Sequence, residues 1–267
     1  MGIMEAVKKG FTGSGKLLNV VIIFFVLNVV MGLISLPLAN PENVGNPGVA
    51  AASLGLSLVF FLIFIYLQGG ALGLTRDLHK TGSCSMSGFV GYGKKYYVKI
   101  LGLLLIYILI ALAIVIVLAL IGSGILAIGD NIVTRSIVGT IAAVVAIVVI
   151  TLLLLPIYSI VADENSVIQA LKKGVRVARE NFWKVLGIFL ALVIISVVIS
   201  VVVGFVIGLI TVPLPFTVTQ VIITIVNSAV QSYIPIVMMI ALMGYYLGLS
   251  KGEAKAESPE GSAGPAA

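Results

Sequence analysis

Six long apolar runs without formally charged residues are the feature that most constrains the fold of this chain. They lie at about residues 17–38, 49–74, 100–128, 137–162, 185–210 and 217–249. None contains Asp, Glu, Lys, Arg or His. Roughly 20 helical residues cross a hydrocarbon core about 30 Å thick. Because a helix satisfies its own main-chain hydrogen bonds in lipid, the runs predict an all-α, polytopic integral membrane protein with six transmembrane helices.

The composition supports this class and excludes others. The chain is 60% hydrophobic and 10% charged, whereas soluble domains carry about 25% charged residues. One cysteine, Cys84, excludes an intramolecular disulfide framework, and one histidine, His79, leaves too few soft ligands for a zinc or haem site. We therefore expect no metal and no cofactor. The net charge of +6 does not indicate nucleic-acid binding, because the cations flank the spans instead of covering one folded face.

The positions of the cations predict the orientation, because Lys and Arg near span ends stay on the cytoplasmic side. Of the 16 cations, all but Arg135 fall before the first run, after the sixth, or between runs two and three or four and five. Both termini are therefore predicted to be cytoplasmic, in the cell membrane. A cleaved signal peptide is the alternative for the first run, and its length and Pro37 argue against it. The polar segment 250–267 is expected to be a disordered cytoplasmic tail.

The odd-numbered runs begin alike, which predicts an internal repeat. "KLLNVVIIFF" starts at residue 16, "YYVKILGLLL" at 96 and "NFWKVLGIFL" at 181, and "AVKKG" at 6–10 resembles "ALKKG" at 170–174. In this interpretation residues 1–249 form one six-helix domain of three helical hairpins, about 5–74, 85–162 and 165–249. Each starting lysine would snorkel to the headgroups. The simpler alternative is that any helix leaving the cytoplasm starts with lysine and aromatic residues.

A cytoplasmic amphipathic elbow helix is predicted between runs four and five. Ser166 followed by Gln169 has the form of a capping box. An apolar stripe follows, at Val167, Leu171, Val175, Ala178 and Phe182. Lys172, Arg176 and Arg179 share another face, and together with Lys173 and Lys184 they form a basic elbow at the membrane surface. We expect this helix to lie in the membrane surface with its cations over anionic lipid; docking onto a cytoplasmic partner is the alternative.

Residues 156–189, "PIYSIVADENSVIQALKKGVRVARENFWKVLGIF", resemble the signature region of the glycerophosphoryl diester phosphodiesterase membrane-domain group. The shared pattern is Pro and Tyr closing a span, an acidic and Asn cluster, a basic elbow, and Asn with an aromatic before the next span. The resemblance implies a six-span protein of a group whose function is largely unknown. Some members precede a soluble phosphodiesterase, but we expect none here, because only a short polar tail follows run six.

A polar stripe in the sixth run is the candidate for a binding cavity. Gln220, Thr224, Asn227 and Gln231 recur at helical spacing, so they either line a wet cavity or bond neighbouring helices. Glycines four residues apart, such as Gly204 and Gly208, mark expected helix contacts. The cytoplasmic segment "TRDLHKTGSCSMSG" has no spacing that demands catalysis, so no catalytic residue is predicted.

The sequence therefore predicts a non-enzymatic membrane or envelope-associated module that binds membrane lipid or a partner. A homo-oligomer or other membrane proteins are the partners that such a chain could take. The alternative is a permease or the membrane subunit of a transporter, which would use the stripe of the sixth run. A lipid-modifying enzyme is the weakest interpretation, because the spans offer no pair of nucleophile and base.

Overall fold

The computed structural model of the chain describes residues 2–39, 45–129 and 131–256. Over this part of the chain the fold is all-α, as predicted. The helices are α1 Ile3–Ser14, α2 Leu18–Ser35, α3 Pro47–Thr81, α4 Phe89–Ile128, α5 Ile132–Leu153, α6 Pro156–Ala162, α7 Val167–Glu180, α8 Phe182–Thr211 and α9 Phe216–Ala256. One turn of 3-10 helix, Gly15–Leu17, joins α1 to α2.

Six helical segments are long and apolar enough to cross a membrane, which confirms the predicted number of spans. They are Ile3–Ser35, Pro47–Thr81, Met86–Ala127, Ile132–Ala162, Phe182–Thr211 and Phe216–Ser250. The segments exceed the apolar runs because helix continues into the basic flanks. In particular α3 continues to Thr81 and α4 begins at Phe89, so Arg76 and Lys95 lie on helices and not in loops.

Side-chain caps fix where two of the spans begin. The Asn46 side chain accepts hydrogen bonds from the main-chain N–H groups of Gly48 and Val49, and Pro47 occupies the first helical position of α3. Asn131 forms a capping box with Thr134 at the start of α5. Such caps satisfy otherwise unpaired N–H groups, and each contributes about 1 kcal/mol to stability. The first residue of each of these two helices is therefore well defined.

Two prolines in the interior of spans, Pro156 and Pro235, act differently. Helix α5 ends at Leu153 and α6 begins at Pro156, because proline has no N–H to continue the hydrogen-bond ladder. At this interruption the Leu153 carbonyl accepts a hydrogen bond from the Tyr107 hydroxyl at 2.7 Å. The helix is thus interrupted before Pro156, whereas Pro235 lies inside the continuous helix α9.

The chain divides into two compact units. Unit 1 comprises residues 1–97 and 187–248, and unit 2 comprises residues 98–186 and 249–267. Within unit 1 the buried core includes Val20 of α2, Leu74 of α3 and Met243 of α9. Within unit 2 it includes Leu155 and Ile160 of the α5–α6 segment. In both units the core lies at the helix ends that adjoin the basic segments.

The opposite ends of the spans expose apolar side chains. Leu120 of α4 is 69% exposed and Phe205 of α8 is 68% exposed. Apolar exposure on this scale would be unfavourable in water, and lipid tails remove that cost. The distribution therefore agrees with spans whose far ends face lipid.

Helix α9 extends to Ala256, which corrects the start of the tail that was predicted to be disordered from residue 250. Ala, Glu and Lys in this segment have high helix propensity, so the last span continues beyond its apolar run. Residues 257–267 of the predicted tail lie outside the described residues.

Candidate functional site

The elbow helix α7 forms where the sequence predicts it. The capping box of Ser166 and Gln169 is present, and the Ser166 N–H donates to the Gln169 side-chain oxygen at 3.3 Å. The most buried face is Ala170, Gly174, Val177 and Ala178. The predicted stripe at Val167, Leu171, Val175 and Phe182 is only half-buried. Small residues take the central position because they allow the closest approach to the span.

Gly174 makes that close approach to the proline that begins α6. A Cβ added at Gly174 would lie 2.5 Å from the Cα and N atoms of Pro156, which are main-chain atoms and cannot rotate away. Only glycine therefore fits at this point of the elbow. The contact fixes the position of α7 within unit 2.

A lysine clasp holds the turn between α6 and α7. Lys99, the lysine that starts the third span, donates through Nζ to the carbonyls of Glu164 and Asn165, each at 3.0 Å. Glu164 has φ of +57°, a left-handed conformation that costs a residue with a side chain roughly 1–2 kcal/mol. Beside the predicted snorkelling, Lys99 therefore has a role that the sequence did not show, since its ammonium binds main-chain carbonyls of this strained turn.

The clasp recurs in unit 1 at the same separation in sequence. Lys16 donates through Nζ to the carbonyl of Gly82 at 2.9 Å, 66 residues further on, and Lys99 is likewise 66 residues from Asn165. Gly82 has φ of +75°, so both clasps close a turn that contains a left-handed residue. Two of the three predicted repeat lysines therefore make equivalent contacts.

A basic cleft of about 370 Å³ opens beside the turn that Lys99 holds. Its lining residues are Asn165, Gln169, Lys172, Lys173 and Arg176. The four members on α7 are spaced by three, one and three residues, so they share one helix face. Three cations and two side-chain amides thus line one cleft.

The acidic turn orients one of these cations. Lys173 Nζ lies 3.0 Å from an Asp163 carboxylate oxygen. The Ser159 hydroxyl donates to the same carboxylate at 3.3 Å and accepts from the Asn165 amide at 3.0 Å. Lys173 is therefore held in place, whereas Lys172 and Arg176 are exposed at the rim.

The structure does not bring the whole predicted basic elbow into this cleft. Arg179 lies exposed in the last turn of α7. Lys184 is in the first turn of α8, with Nζ 3.4 Å from the Asn181 side-chain oxygen. Neither belongs to the lining of the cleft. The elbow thus has a cleft-lining group, Lys172, Lys173 and Arg176, and two outlying cations.

A buried arginine network that the sequence did not predict joins α3 to the start of α4. Arg76 donates through Nη1 to the Tyr96 hydroxyl at 2.8 Å and through Nε and Nη2 to Asp77 at 3.3 and 3.2 Å. Its guanidinium carbon lies 5.3 Å from the centre of the Tyr92 ring, and the Tyr92 hydroxyl donates to Asp77. In the sequence, the only sign of this network was the pair Arg76 and Asp77, followed by two tyrosines, Tyr92 and Tyr96, that lie about one helical turn apart.

Residues of the predicted polar stripe of α9 lie beside two different helices, α2 and α8. A Cβ added at Gly32 of α2 would meet the Thr224 side chain at 2.5 Å. Asn227 instead lines a cleft of about 190 Å³ together with Gly204 and Gly208 of α8. Gln231 is exposed and Gln220 is half-exposed. Gly204 and Gly208 have open space where a Cβ would be, so they are not the tight helix contacts that their spacing predicted.

The hydrogen bonds to neighbouring helices come from a different face of α9. Ser232, which is buried, accepts from the Asn28 amide of α2 at 2.9 Å. Tyr233 accepts from the Ser14 hydroxyl of α1 at 3.1 Å. Sequence reasoning missed these residues because single serine and asparagine residues in apolar runs carry no periodic signal.

Six apolar helical segments with basic ends define a polytopic, helical membrane protein. Within that class, the chain belongs to the family described as Domain of unknown function (DUF7847), whose model matches residues 2–249. The matched region includes both clasps and the elbow cleft. Membership of the glycerophosphoryl diester phosphodiesterase membrane-domain group, which residues 156–189 resemble in pattern, is not shown by this match. No curated protein and no solved structure matches the chain.

Proposed function

We propose that the chain is a non-enzymatic membrane module that binds the phosphate-bearing headgroup of an anionic lipid in the elbow cleft. The observation that carries the proposal is the lining of this cleft, in which Lys172, Lys173 and Arg176 surround a space of about 370 Å³. Lys and Arg are the side chains that bind phosphate oxygens most strongly. Asn165 and Gln169 add amide donors for the ester and glycerol oxygens.

The position of the cleft suits a lipid better than a soluble anion. The elbow adjoins the ends of α6 and α8, which belong to apolar spans, so a headgroup could enter while its acyl chains stay in the bilayer. The predicted cytoplasmic orientation places it at the leaflet that carries anionic lipid. Each cation near such a surface contributes about 1 kcal/mol.

The proposal assigns no reaction to the protein. The apolar runs carry no Asp, Glu, Lys, Arg or His, and intramembrane catalysis and ion coupling generally use such groups. Asp77 and His79, the acidic and imidazole groups of the α3 end, both hydrogen-bond within the protein. A screen for turnover of lipid substrates would test this part of the proposal, and any turnover would contradict it.

Lipid retention tests the cleft directly. Protein is reconstituted in nanodiscs of phosphatidylcholine with phosphatidylglycerol, released, and examined by native mass spectrometry. We expect retained phosphatidylglycerol to be lost from the variant K172Q/R176Q, with an affinity decrease of roughly thirtyfold for about 2 kcal/mol. The matched control R179Q/K184Q removes the same charge from outside the cleft and should retain lipid.

Two results would reject the cleft as the site. One is that the native protein retains no anionic lipid. The other is that both double variants lose lipid equally, because that would indicate a diffuse basic surface and not a defined cleft.

A permease or transporter subunit is the second candidate, favoured by the cleft at Asn227. The cleft is open space beside Gly204 and Gly208, so a polar solute could approach the amide there. Cysteines placed singly at 220, 224, 227 and 231 in a Cys84→Ser background would be tested with polar thiol reagents. We expect reaction at 227 if this candidate is correct, and no reaction there would exclude a wet cavity.

A further inference from the structure

Unit 1 contains a second basic cavity, of about 420 Å³, between the first elbow helix α1 and the helices α3 and α9. Its lining residues are Lys9, Thr12, Gly13, Lys16, Leu78, His79 and Ile240. The first four are spaced by three, one and three residues, so they share one face, as the lining residues of α7 do. Two ammonium groups, a hydroxyl and an imidazole therefore surround the cavity.

Internal contacts orient the two ammonium groups beside the cavity. Lys9 Nζ lies 2.8 Å from the Glu5 carboxylate, and Lys16 Nζ donates to the Gly82 carbonyl at 2.9 Å. An ammonium group has three N–H donors, of which this carbonyl takes one from Lys16. Both positive charges are thus fixed in the wall of the cavity.

His79 has a fixed orientation at the edge of this cavity. Its Nε2 atom lies 2.8 Å from the Ile240 carbonyl, so Nε2 carries a hydrogen and donates it. A Cβ added at Gly244 would lie 2.6 Å from the imidazole ring, so glycine is required for the ring to rest against α9. With its hydrogen on Nε2, the neutral ring presents Nδ1 as an acceptor at the edge of the cavity.

The polar character of this face continues deeper into α3. Thr75 lies one turn before His79, is fully buried, and its hydroxyl has no hydrogen-bond partner in the described part of the chain. A buried hydroxyl without a partner is uncommon and costs free energy. In the described part of unit 1, the Thr75 hydroxyl of α3 is therefore a polar group without a hydrogen-bond partner, one helical turn from His79, which lines the cavity.

The first elbow repeats the construction of the elbow helix α7. Ala6 and Ala170 are both fully buried, and a Cβ at Gly10 would lie 2.7 Å from the Val237 carbonyl, as one at Gly174 would overlap Pro156. In each motif the second lysine pairs with a nearby carboxylate, Lys9 with Glu5 at 2.8 Å and Lys173 with Asp163 at 3.0 Å. Each of these lysines also lines a cavity.

From this correspondence we infer that the cavity of Lys9, Lys16 and His79 is a second anion site, which binds a phosphate group. The group belongs either to a lipid headgroup or to free phosphate, since both present the same oxygens to the two ammonium groups. The site is distinct from the elbow cleft of unit 2 and uses different residues. A negative result at one site therefore does not decide the other.

His79 supplies a direct readout, because it is the only histidine in the chain. Protein with labelled histidine is placed in phosphatidylcholine nanodiscs and titrated with inorganic phosphate, with imidazole resonances followed by NMR spectroscopy. A second preparation uses nanodiscs that contain phosphatidylglycerol. We expect a saturable shift of the His79 resonances with at least one of the two probes.

The variant Lys9→Gln tests the site, and Lys8→Gln is its matched control on the same helix. The Lys9 side chain is 52% exposed, so its replacement should leave the fold intact. We expect Lys9→Gln to weaken the His79 response about fivefold, as expected for about 1 kcal/mol per cation, and Lys8→Gln to leave it unchanged. The variant K172Q/R176Q should also keep the full response.

The outcomes separate the two sources of phosphate. A response to inorganic phosphate alone identifies a soluble phosphate site, and a response to phosphatidylglycerol alone identifies a headgroup site. No response to either probe overturns the inference. Equal weakening by Lys8→Gln and Lys9→Gln also overturns it, because the effect would then be general surface charge.

Discussion

The contact between Gly174 and Pro156 gives the sharpest test of the elbow geometry. A Cβ at Gly174 would lie 2.5 Å from the Pro156 main chain, and ordinary contacts begin at 3.4 Å, so Gly174→Ala requires a movement of about 0.9 Å. Overpacking of this kind costs about 1–3 kcal/mol. Alanine itself favours a helix over glycine by about 1 kcal/mol, which offsets part of that cost.

Gly139→Ala is the matched control that removes this offset from the comparison. Gly139 lies in the middle of α5, in the same unit, and has nothing within 4 Å of an added Cβ. Both variants receive the same gain in helix propensity. We therefore expect Gly174→Ala to be about 1–3 kcal/mol less stable than Gly139→Ala, which is the packing cost alone.

Thermal unfolding in nanodiscs, followed by circular dichroism, measures the difference. For a chain of this size about 1 kcal/mol corresponds to roughly 2–4 °C in Tm, so the two variants should differ by roughly 2–12 °C. Equal melting temperatures would refute the reasoning, because they would show that α7 does not lie against Pro156 as closely as the structure places it. The same reasoning applies to lipid binding, since a displaced α7 would distort the elbow cleft.

Three further predictions concern other parts of the chain. Burial raises the pKa of the Cys84 thiol, so its alkylation rate should keep rising with pH above about 8.5. In sealed inverted vesicles an impermeant maleimide should label Cys84 without permeabilisation. Labelling only in right-side-out vesicles would contradict the predicted orientation. Asn28→Leu and Ser232→Ala should each lower the free energy of unfolding and together show a coupling of about 0.6 kcal/mol, and additive effects would contradict the hydrogen bond between them. Arg76→Leu should cost about 1.5–3 kcal/mol through loss of its charged hydrogen bonds, read as a lower Tm, and an unchanged Tm would show that the network does not stabilise the hairpin.

The spans and the elbow helix could be predicted because their physical signals are local. A run of some twenty apolar residues without charge has one stable solution in lipid. The capping box of Ser166 and Gln169 likewise depends on residues three apart. Neither prediction required knowledge of tertiary contacts, and both are confirmed.

The candidate site could be predicted only in part, because it depends on contacts between distant residues. The sequence placed Lys172, Lys173 and Arg176 on one elbow, but it could not show that Asp163 holds Lys173 at the edge of a cleft. It assigned Lys99 to the headgroups, since a lysine at a span end generally snorkels. The carbonyl that the ammonium binds lies 66 residues away, which no local pattern reveals.

The predicted repeat meets the same limit, because the close contacts of its proposed copies use different residues. In two elbows the glycine is on the elbow helix, where Gly10 meets Val237 and Gly174 meets Pro156. At the start of α4 the positions are exchanged: the glycine is Gly73 of α3, and a Cβ there would overlap the Tyr92 ring of α4. An alignment scores glycine against tyrosine as a mismatch, although each arrangement places a glycine at a close contact. The prediction is therefore best tested by exchanging the glycine and the large residue across one contact and measuring whether stability returns, since residue identity alone cannot show whether the hairpins are equivalent.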